Sequence, residues 1–369
     1  MRVLHVGAGN LFGGIESMLL TLARCRALCP DMKPEFGVCF EGRLAAELRG
    51  TGAPVHDFGE VRTRRPWTVW RARKRLRTVL KDRRIDVAVT HGPWPHAVFA
   101  PAVRKAGARL MAWLHNPPAG THWLERWARR TPPELAIANS RFTQSHLAAL
   151  FSDVPSEVVY CPVEAPRLPE RGTLRQAMRL ELKTSDDAVV ILLAARMEAW
   201  KGHTALLEAL ARMNCRTPWM CWMAGGAQRP SERKYAQGLK ELAKASAIAE
   251  RVRFLGQRAD VLALMASADL YCQPNAEPEP FGIVFVEALY AGLPVLTTAF
   301  GGALEIVNEA CGTLVPPGDV PALAAALERF MDDPRLRHSM RAACQAQARG
   351  LCAPQPILNR LAQLLSRKS

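Results

Sequence analysis

The sequence predicts an α/β protein built from two open parallel sheets in tandem, and three observations carry that prediction. Short β-type runs alternate with helical stretches from end to end, the pattern of βαβ units. A proline-rich passage, Cys161-Pro162-Val163-Glu164-Ala165-Pro166-Arg167-Leu168-Pro169, interrupts this rhythm and reads as a connection, after which the alternation restarts. A length of 369 residues is more than one compact core holds and suits two domains. The expected divisions are 1–165 and 166–350, with a final segment, 351–369, forming a helix that packs back on the N-terminal domain.

In the first half, strands are expected near 3–6, 36–40, 54–58, 86–90, 109–114 and 135–138, with helices between them. The first strand, Val3-Leu4-His5-Val6, runs into a glycine loop, Gly7-Ala8-Gly9-Asn10-Leu11-Phe12-Gly13-Gly14. Pro66 suits a first helical position, and Val69, Ala72, Leu76, Val79 and Leu80 then fall on one face, so this helix should lay an apolar stripe on the N-terminal sheet. In the second half, strands are expected near 188–194, 219–223, 252–255, 269–273, 294–297 and 312–315. Ligands of such sheets sit beyond the carboxyl ends of the strands, and two such domains should meet across a cleft.

With 49% hydrophobic and 22% charged residues, the composition is that of a folded globular protein and excludes disorder, collagen and coiled coil as the main architecture. The best apolar run, Ala188 to Ala195, is far short of the roughly 20 residues of a membrane helix. No signal-type apolar core follows Met1, so a cytoplasmic protein is expected. Ten cysteines with no C-x-x-C pair and no metal-ligand spacing read as buried thiols, not as disulfides or a zinc site.

The net charge is +15, and residues 1–165 hold 24 basic against 14 acidic side chains. Arg62 to Arg84 alone carries eleven basic residues against Asp82, an excess that calls for an anionic partner: nucleotide, lipid headgroup or nucleic acid. With Trp67 and Trp70 at its start, and Trp123, Arg126, Trp127, Arg129 and Arg130 elsewhere, the surface suits an anionic membrane face; a solvated helix face is the plainer reading.

The glycine loop invites a test for dinucleotide binding. A G-x-G-x-x-G reading from Gly7 needs glycine at 12 and finds Phe12, so NAD or FAD is not supported, although Glu41 stands near the end of the second strand. What survives is a glycine-rich turn opening a helix at Ile15, whose free amides favour an anion or a closely approaching ligand; a tight turn alone is the alternative.

The second half is more informative. Glu279-Pro280-Phe281-Gly282-Ile283-Val284-Phe285-Val286-Glu287 puts one carboxylate on a loop and another on the early turns of the helix that follows, so both can border one ligand. Carboxylates suit sugar hydroxyls, which leaves the amides of Phe281 and Gly282 for phosphate oxygens. Arg196 and Lys201, after the first strand of this domain, can supply the cations.

These residues resemble the retaining GT-B glycosyltransferases of family 4. Glu279 and Glu287 match the E-x7-E signature, and Arg196 with Lys201-Gly202 the R-x4-KG motif. Ala291-Gly292-Leu293-Pro294-Val295, Gly301-Gly302-Ala303-Leu304-Glu305-Ile306-Val307 and Gly312-Thr313-Leu314-Val315 follow in the family's order. Gly13-Gly14-Ile15-Glu16 resembles its first glycine loop, and His115 stands where members keep a histidine facing the donor sugar. The resemblance implies two Rossmann-like domains with parallel sheets facing across a cleft.

It further implies a nucleoside-diphosphate sugar donor, UDP-, GDP- or ADP-linked, as substrate. Arg196 and Lys201 would bind the diphosphate, Glu287 the ribose and Glu279 the sugar, with Ile283 at the same helix start, while Gly225, Gly226, Gln257 and Arg258 would border the nucleotide, a surface cation being the equal alternative for Arg258. Glu277 is a second candidate for the Glu279 contact, His91 a second histidine, and Asn139-Ser140 either lines the cleft or caps a helix. No Asp-x-Asp occurs, so neither metal nor cofactor is expected. The acceptor implied is a glycan or lipid carrier in bacterial cell-surface polysaccharide or lipopolysaccharide synthesis, at the inner face of the cytoplasmic membrane. A GT-B epimerase or sucrose-type synthase would keep the same donor site. A binder of nucleic acid or another anionic polymer explains the charge but not the motifs, and no nucleic acid partner is expected.

Overall fold

The computed structural model describes residues 1–9, 13–167 and 169–367; Asn10, Leu11 and Phe12 of the glycine loop, Leu168 of the connection, and Lys368 and Ser369 lie outside them. The chain forms two compact units, Met1–Glu164 with Cys352–Ser369, and Ala165–Leu351.

In the first unit, seven strands, β1 (Arg2–Val6), β2 (Lys33–Val38), β3 (Val55–Asp57), β4 (Val87–His91), β5 (Arg109–Leu114), β6 (Leu135–Ala138) and β7 (Ser156–Val158), lie in the order β3-β2-β1-β4-β5-β6-β7. All neighbours are parallel. β4 is buried throughout, as expected of a parallel sheet covered on both faces. The basic helix, Pro66–Asp82, seats Val69, Ala72, Leu76 and Leu80 in a core with Leu4, Phe58 and Phe99, while Val79 is only partly buried. The helix Pro354–Ser366 belongs to this unit: Arg109 Nη1 donates to Leu365 O (2.6 Å) and Gln355 Nε2 to Leu28 O (2.9 Å). β7 is an edge strand that the sequence pattern does not announce, since Ser156-Glu157-Val158 is short, mostly polar and only half-buried.

The second unit has six strands, β8 (Val189–Ala194), β9 (Trp219–Ala224), β10 (Val252–Gly256), β11 (Leu270–Gln273), β12 (Val295–Thr298) and β13 (Gly312–Val315), in the order β10-β9-β8-β11-β12-β13 and again all parallel. Asp269, just before β11, accepts from Arg175, Arg179 and the Val190 amide, which ties the helix Arg171–Glu181 to the sheet edge.

In each sheet the strand order reverses next to the first strand, between β1 and β4 and between β8 and β11. Loops diverge there, and the crevice at the carboxyl ends is where such sheets hold ligands. All ten cysteines are free thiols, nine of them buried and Cys215 half-buried. Among the described residues, no helix is long and apolar enough to cross a membrane.

Candidate active site

The switch point of the second sheet brings together residues 78 positions apart. After β8, the chain passes Arg196 and a short turn to Lys201; after β11, it passes Asn275 to Glu279. Lys201 Nζ sits 2.6 Å from Glu279 Oε2, and Asn275 Nδ2 donates to the same oxygen at 3.3 Å. Behind Asn275 stand Gln273, whose Nε2 donates to Asn275 Oδ1 (2.9 Å), and Tyr271, whose hydroxyl donates to Gln273 Oε1 (2.6 Å). Thr297 and Thr298 pin the backbone of this loop by donating to Gln273 O and Asn275 O. Every member is satisfied, so the network holds its shape in a site of low polarity.

Backbone contacts explain several glycines here. Gly202 has φ +79°, and a Cβ there would lie 1.8 Å from Pro274 O. Gly225, expected at the nucleotide, lets the chain after β9 touch the chain after β8: its Cβ would meet Ala195 O at 1.8 Å. Gly282, φ +104°, starts the helix Ile283–Tyr290. Gly301 and Gly302 clamp the segment in front of it, with Gly302 N donating to Glu279 O (2.7 Å) and Phe281 buried beneath.

Lys201 also lies 3.7 Å over the Trp200 ring, whose face favours a cation. Burial lowers its pKa, and the Glu279 charge works against that shift. Arg196 pairs with Glu198 at 3.1 Å and keeps much of its guanidinium exposed. Glu287 differs from Glu279: its carboxylate has no hydrogen bond or ion pair among the described residues, and burial pushes it up to about 7. A desolvated carboxyl with no side-chain partner, on the helix that follows the Glu279 loop, is a candidate ligand contact. Glu277 is exposed, so Glu279 is the carboxylate that the loop carries inward.

Arg258 is held by carboxylates, in keeping with the surface-cation alternative. Asp260 takes it in a fork (2.8 and 2.6 Å) and Glu181 takes a third nitrogen at 2.7 Å, which raises its pKa further. A phosphate there would have to displace two carboxylates. Gly226 packs on Gln257.

In the first unit, Gly13 caps the helix Gly14–Arg24, and Glu16 Oε2 accepts from the Gly13 amide at 3.0 Å, so one of the amides expected to be free is taken. Ser140 caps the helix Arg141–Ser145 by accepting from Thr143 N, while Asn139 Nδ2 donates to His115 O. His115 is the end of a chain that the sequence did not suggest: His91 Nδ1 lies 3.0 Å from His115 Nε2, and His91 Nε2 lies 3.0 Å from His5 Nδ1. Their strands β1, β4 and β5 are adjacent.

Phe40, Trp94, Arg62, Arg64 and Arg65 border a cavity of about 720 Å³ in the first unit. Arg62 pairs with Glu60, whereas Arg64 and Arg65 have no carboxylate partner among the described residues. A second hollow, about 340 Å³, is lined by Trp123, Arg126, Trp127 and Arg130. Trp67 and Trp70 are about three-fifths exposed, so the cationic surface carries aromatic faces.

Two doubly wound parallel domains of this kind form the GT-B architecture, and the class they define is that of the glycosyltransferases. Residues 175–347 match the family model described as glycosyl transferases group 1, and residues 12–167 match glycosyltransferase family 4. The chain is 32% identical to a phosphatidyl-myo-inositol mannosyltransferase of Mycobacterium leprae, covering 88% of this chain and 85% of that one. It is 27% identical, over 96% and 94%, to a GDP-mannose-dependent monoacylated alpha-(1-6)-phosphatidylinositol monomannoside mannosyltransferase of Corynebacterium glutamicum. Among solved structures, Anabaena Alr3699/HepE in complex with UDP and glucose superposes with a TM-score of 0.84 at 26% identity and 99% coverage of both chains. The chain belongs to glycosyltransferase family 4.

Proposed function

We propose that the protein transfers a sugar from a nucleoside-diphosphate donor to a lipid-linked or glycan acceptor of the bacterial cell surface, with retention of configuration and without a metal ion. The observation that carries this reading is the Lys201–Glu279–Asn275 cluster at the β8/β11 switch point, with the desolvated Glu287 on the helix that follows. Lys201 and Arg196 hold the diphosphate, helped by the amides of Phe281, Gly282 and Ile283 at the helix start; Glu287 takes the ribose hydroxyls and Glu279 the sugar.

When the bond from the anomeric carbon to the phosphate oxygen breaks, charge builds on the diphosphate and on the sugar ring. Preorganised cations stabilise the first, and the Glu279 carboxylate the second. The acceptor oxygen forms its bond on the face the phosphate leaves, and its proton passes to a phosphate oxygen. Glu279, already fixed by Lys201 and Asn275, then positions the sugar and does not attack it.

On the acceptor side, Arg64 and Arg65 beside an aromatic-walled cavity suit an acceptor that carries a phosphate, and phosphatidylinositol-acting relatives support a lipid acceptor. The basic helix with Trp67 and Trp70 supports docking on an anionic membrane face at about 1 kcal/mol per cation. The Corynebacterium glutamicum relative is GDP-mannose-dependent and the structural match holds UDP, so the base is open between them.

Thermal shift with UDP-, GDP- and ADP-sugars in EDTA, on wild type and on Arg196→Ala/Lys201→Ala, tests the donor site. Stabilisation by one nucleotide, lost in the double variant, is expected. No shift with any of them, together with no transfer to phospholipid acceptors, overturns the reading.

A further inference from the structure

The three histidines of the first unit form a line. Exposure rises along it, from 0% at His5 to 3% at His91 and 6% at His115. The rings meet edge to edge: the His91 and His115 centroids are 5.2 Å apart with 18° between planes, as a hydrogen bond between in-plane nitrogens requires, with the Trp113 ring 5.5 Å from His115 and the Phe36 ring 5.7 Å from His5. Burial lowers all three pKa values, to about 3 for His5 and His115, so each ring is neutral at physiological pH.

A neutral imidazole has one N–H and one bare nitrogen, so a chain of three linked by two hydrogen bonds has only two consistent proton arrangements. In one, every proton points outward: His5 Nδ1–H donates to His91, His91 Nδ1–H donates to His115, and His115 presents Nδ1–H beyond the chain. In the other, all three are reversed and His115 presents a bare Nδ1. The inner end decides between them. His5 Nε2 is buried with no partner, and a sealed N–H without an acceptor is rarer in folded proteins than a sealed lone pair. His115 is the most exposed of the three, and its Nδ1, with no partner among the described residues, is not sealed as His5 Nε2 is, so an N–H there can meet water or a ligand and the proton belongs at that end.

We propose that His5 and His91 are positioning residues that fix His115 as the Nδ1–H tautomer, so that His115 acts as a neutral hydrogen-bond donor to an oxygen of the sugar substrate and not as a base. This rests on the proposed transferase reading only for the identity of the partner oxygen; the tautomer itself is a property of the free protein.

Long-range ¹H–¹⁵N correlation spectra of the ¹⁵N-histidine-labelled full chain test it. Wild type is expected to show His115 with a proton-bearing Nδ1 and a bare Nε2. His91→Gln, whose amide can accept from His5 and donate to His115, should keep that pattern. His91→Phe should leave His115 a mixture of tautomers and lower kcat about tenfold with little change in donor KM, the scale on which partners of an oriented histidine act. Reversed protonation in wild type, or an unchanged His115 in His91→Phe with a wild-type melting curve, overturns the proposal. The expected tautomer in a protein that transfers no sugar would sink the transferase reading and leave the histidine chain standing.

Discussion

The two units share one sheet design but build their sites differently. In the second, the important side chains stand on loops that leave adjacent strands, and each is held by a charged partner: Lys201 by Glu279, Arg196 by Glu198. In the first, the corresponding region uses neutral rings carried by three neighbouring strands and an arginine-bordered cavity. Paired charges in a partly buried site hold each other in place. Neutral rings in a dry line are poised to hold one orientation.

If the second unit carries the electrostatic work, Lys201→Ala should produce the largest loss, more than a hundredfold in kcat, or about 3 kcal/mol, the scale of one lost anion-stabilising donor. Near-normal turnover in a folded variant would remove the contrast between the units.

Glu287 sharpens it through pH. Burial pushes its carboxyl up to about 7, and on the proposed reading ribose hydroxyls would donate to the ionised form. Donor Kd, followed by calorimetry, should therefore weaken by up to about tenfold per pH unit below 7, while Glu287→Gln gives a weaker but flat profile. The same group sets a stability slope. Its folded pKa lies above the ordinary carboxyl value of 4.5, so its contribution is fully present below pH 4.5 and is lost as the pH rises to about 7. Urea titrations at pH 5 and 8 should show that slope reduced in Glu287→Gln.

Arg64→Ala/Arg65→Ala should raise acceptor KM several-fold, weaken flotation with anionic vesicles at low salt, and leave the donor Kd unchanged, since about 1 kcal/mol per cation is at stake. An altered donor Kd would show that the two sites are not separate. The smallest effect belongs to Arg258→Ala, under twofold in kcat/KM, because Asp260 and Glu181 already fill its guanidinium.

Much of this was legible in sequence because parallel strands are written as contiguous apolar runs and the donor motifs as contiguous loops. Val189–Ala194 is buried at every position, and its expected range was one residue longer. β7 escaped because a polar, three-residue edge strand has no pattern to read. The Lys201–Glu279 pair could be anticipated once both loops were assigned to one crevice. The His5–His91–His115 line could not, because it depends on β1, β4 and β5 being neighbours, which is a fact of strand order. The pairing of Arg258 was not legible for a related reason: one of its partners, Glu181, lies 77 positions away. Asn275 stood in view within a recognised loop, but nothing in its spacing marked it as the second donor to Glu279.

The clamp between Glu279 and Gly301–Gly302 has a consequence for inheritance. A Cβ on Gly301 would sit 2.4 Å from Glu279 O and one on Gly302 2.5 Å from Phe281, so two motifs separated by a whole helix and strand are moulded on each other. Shuffled genes that cross over between residues 282 and 300 would join halves never fitted to one another. Those that exchange residues 273–302 intact would carry the donor loop as a single cassette, the natural module for grafting a new sugar preference onto this scaffold.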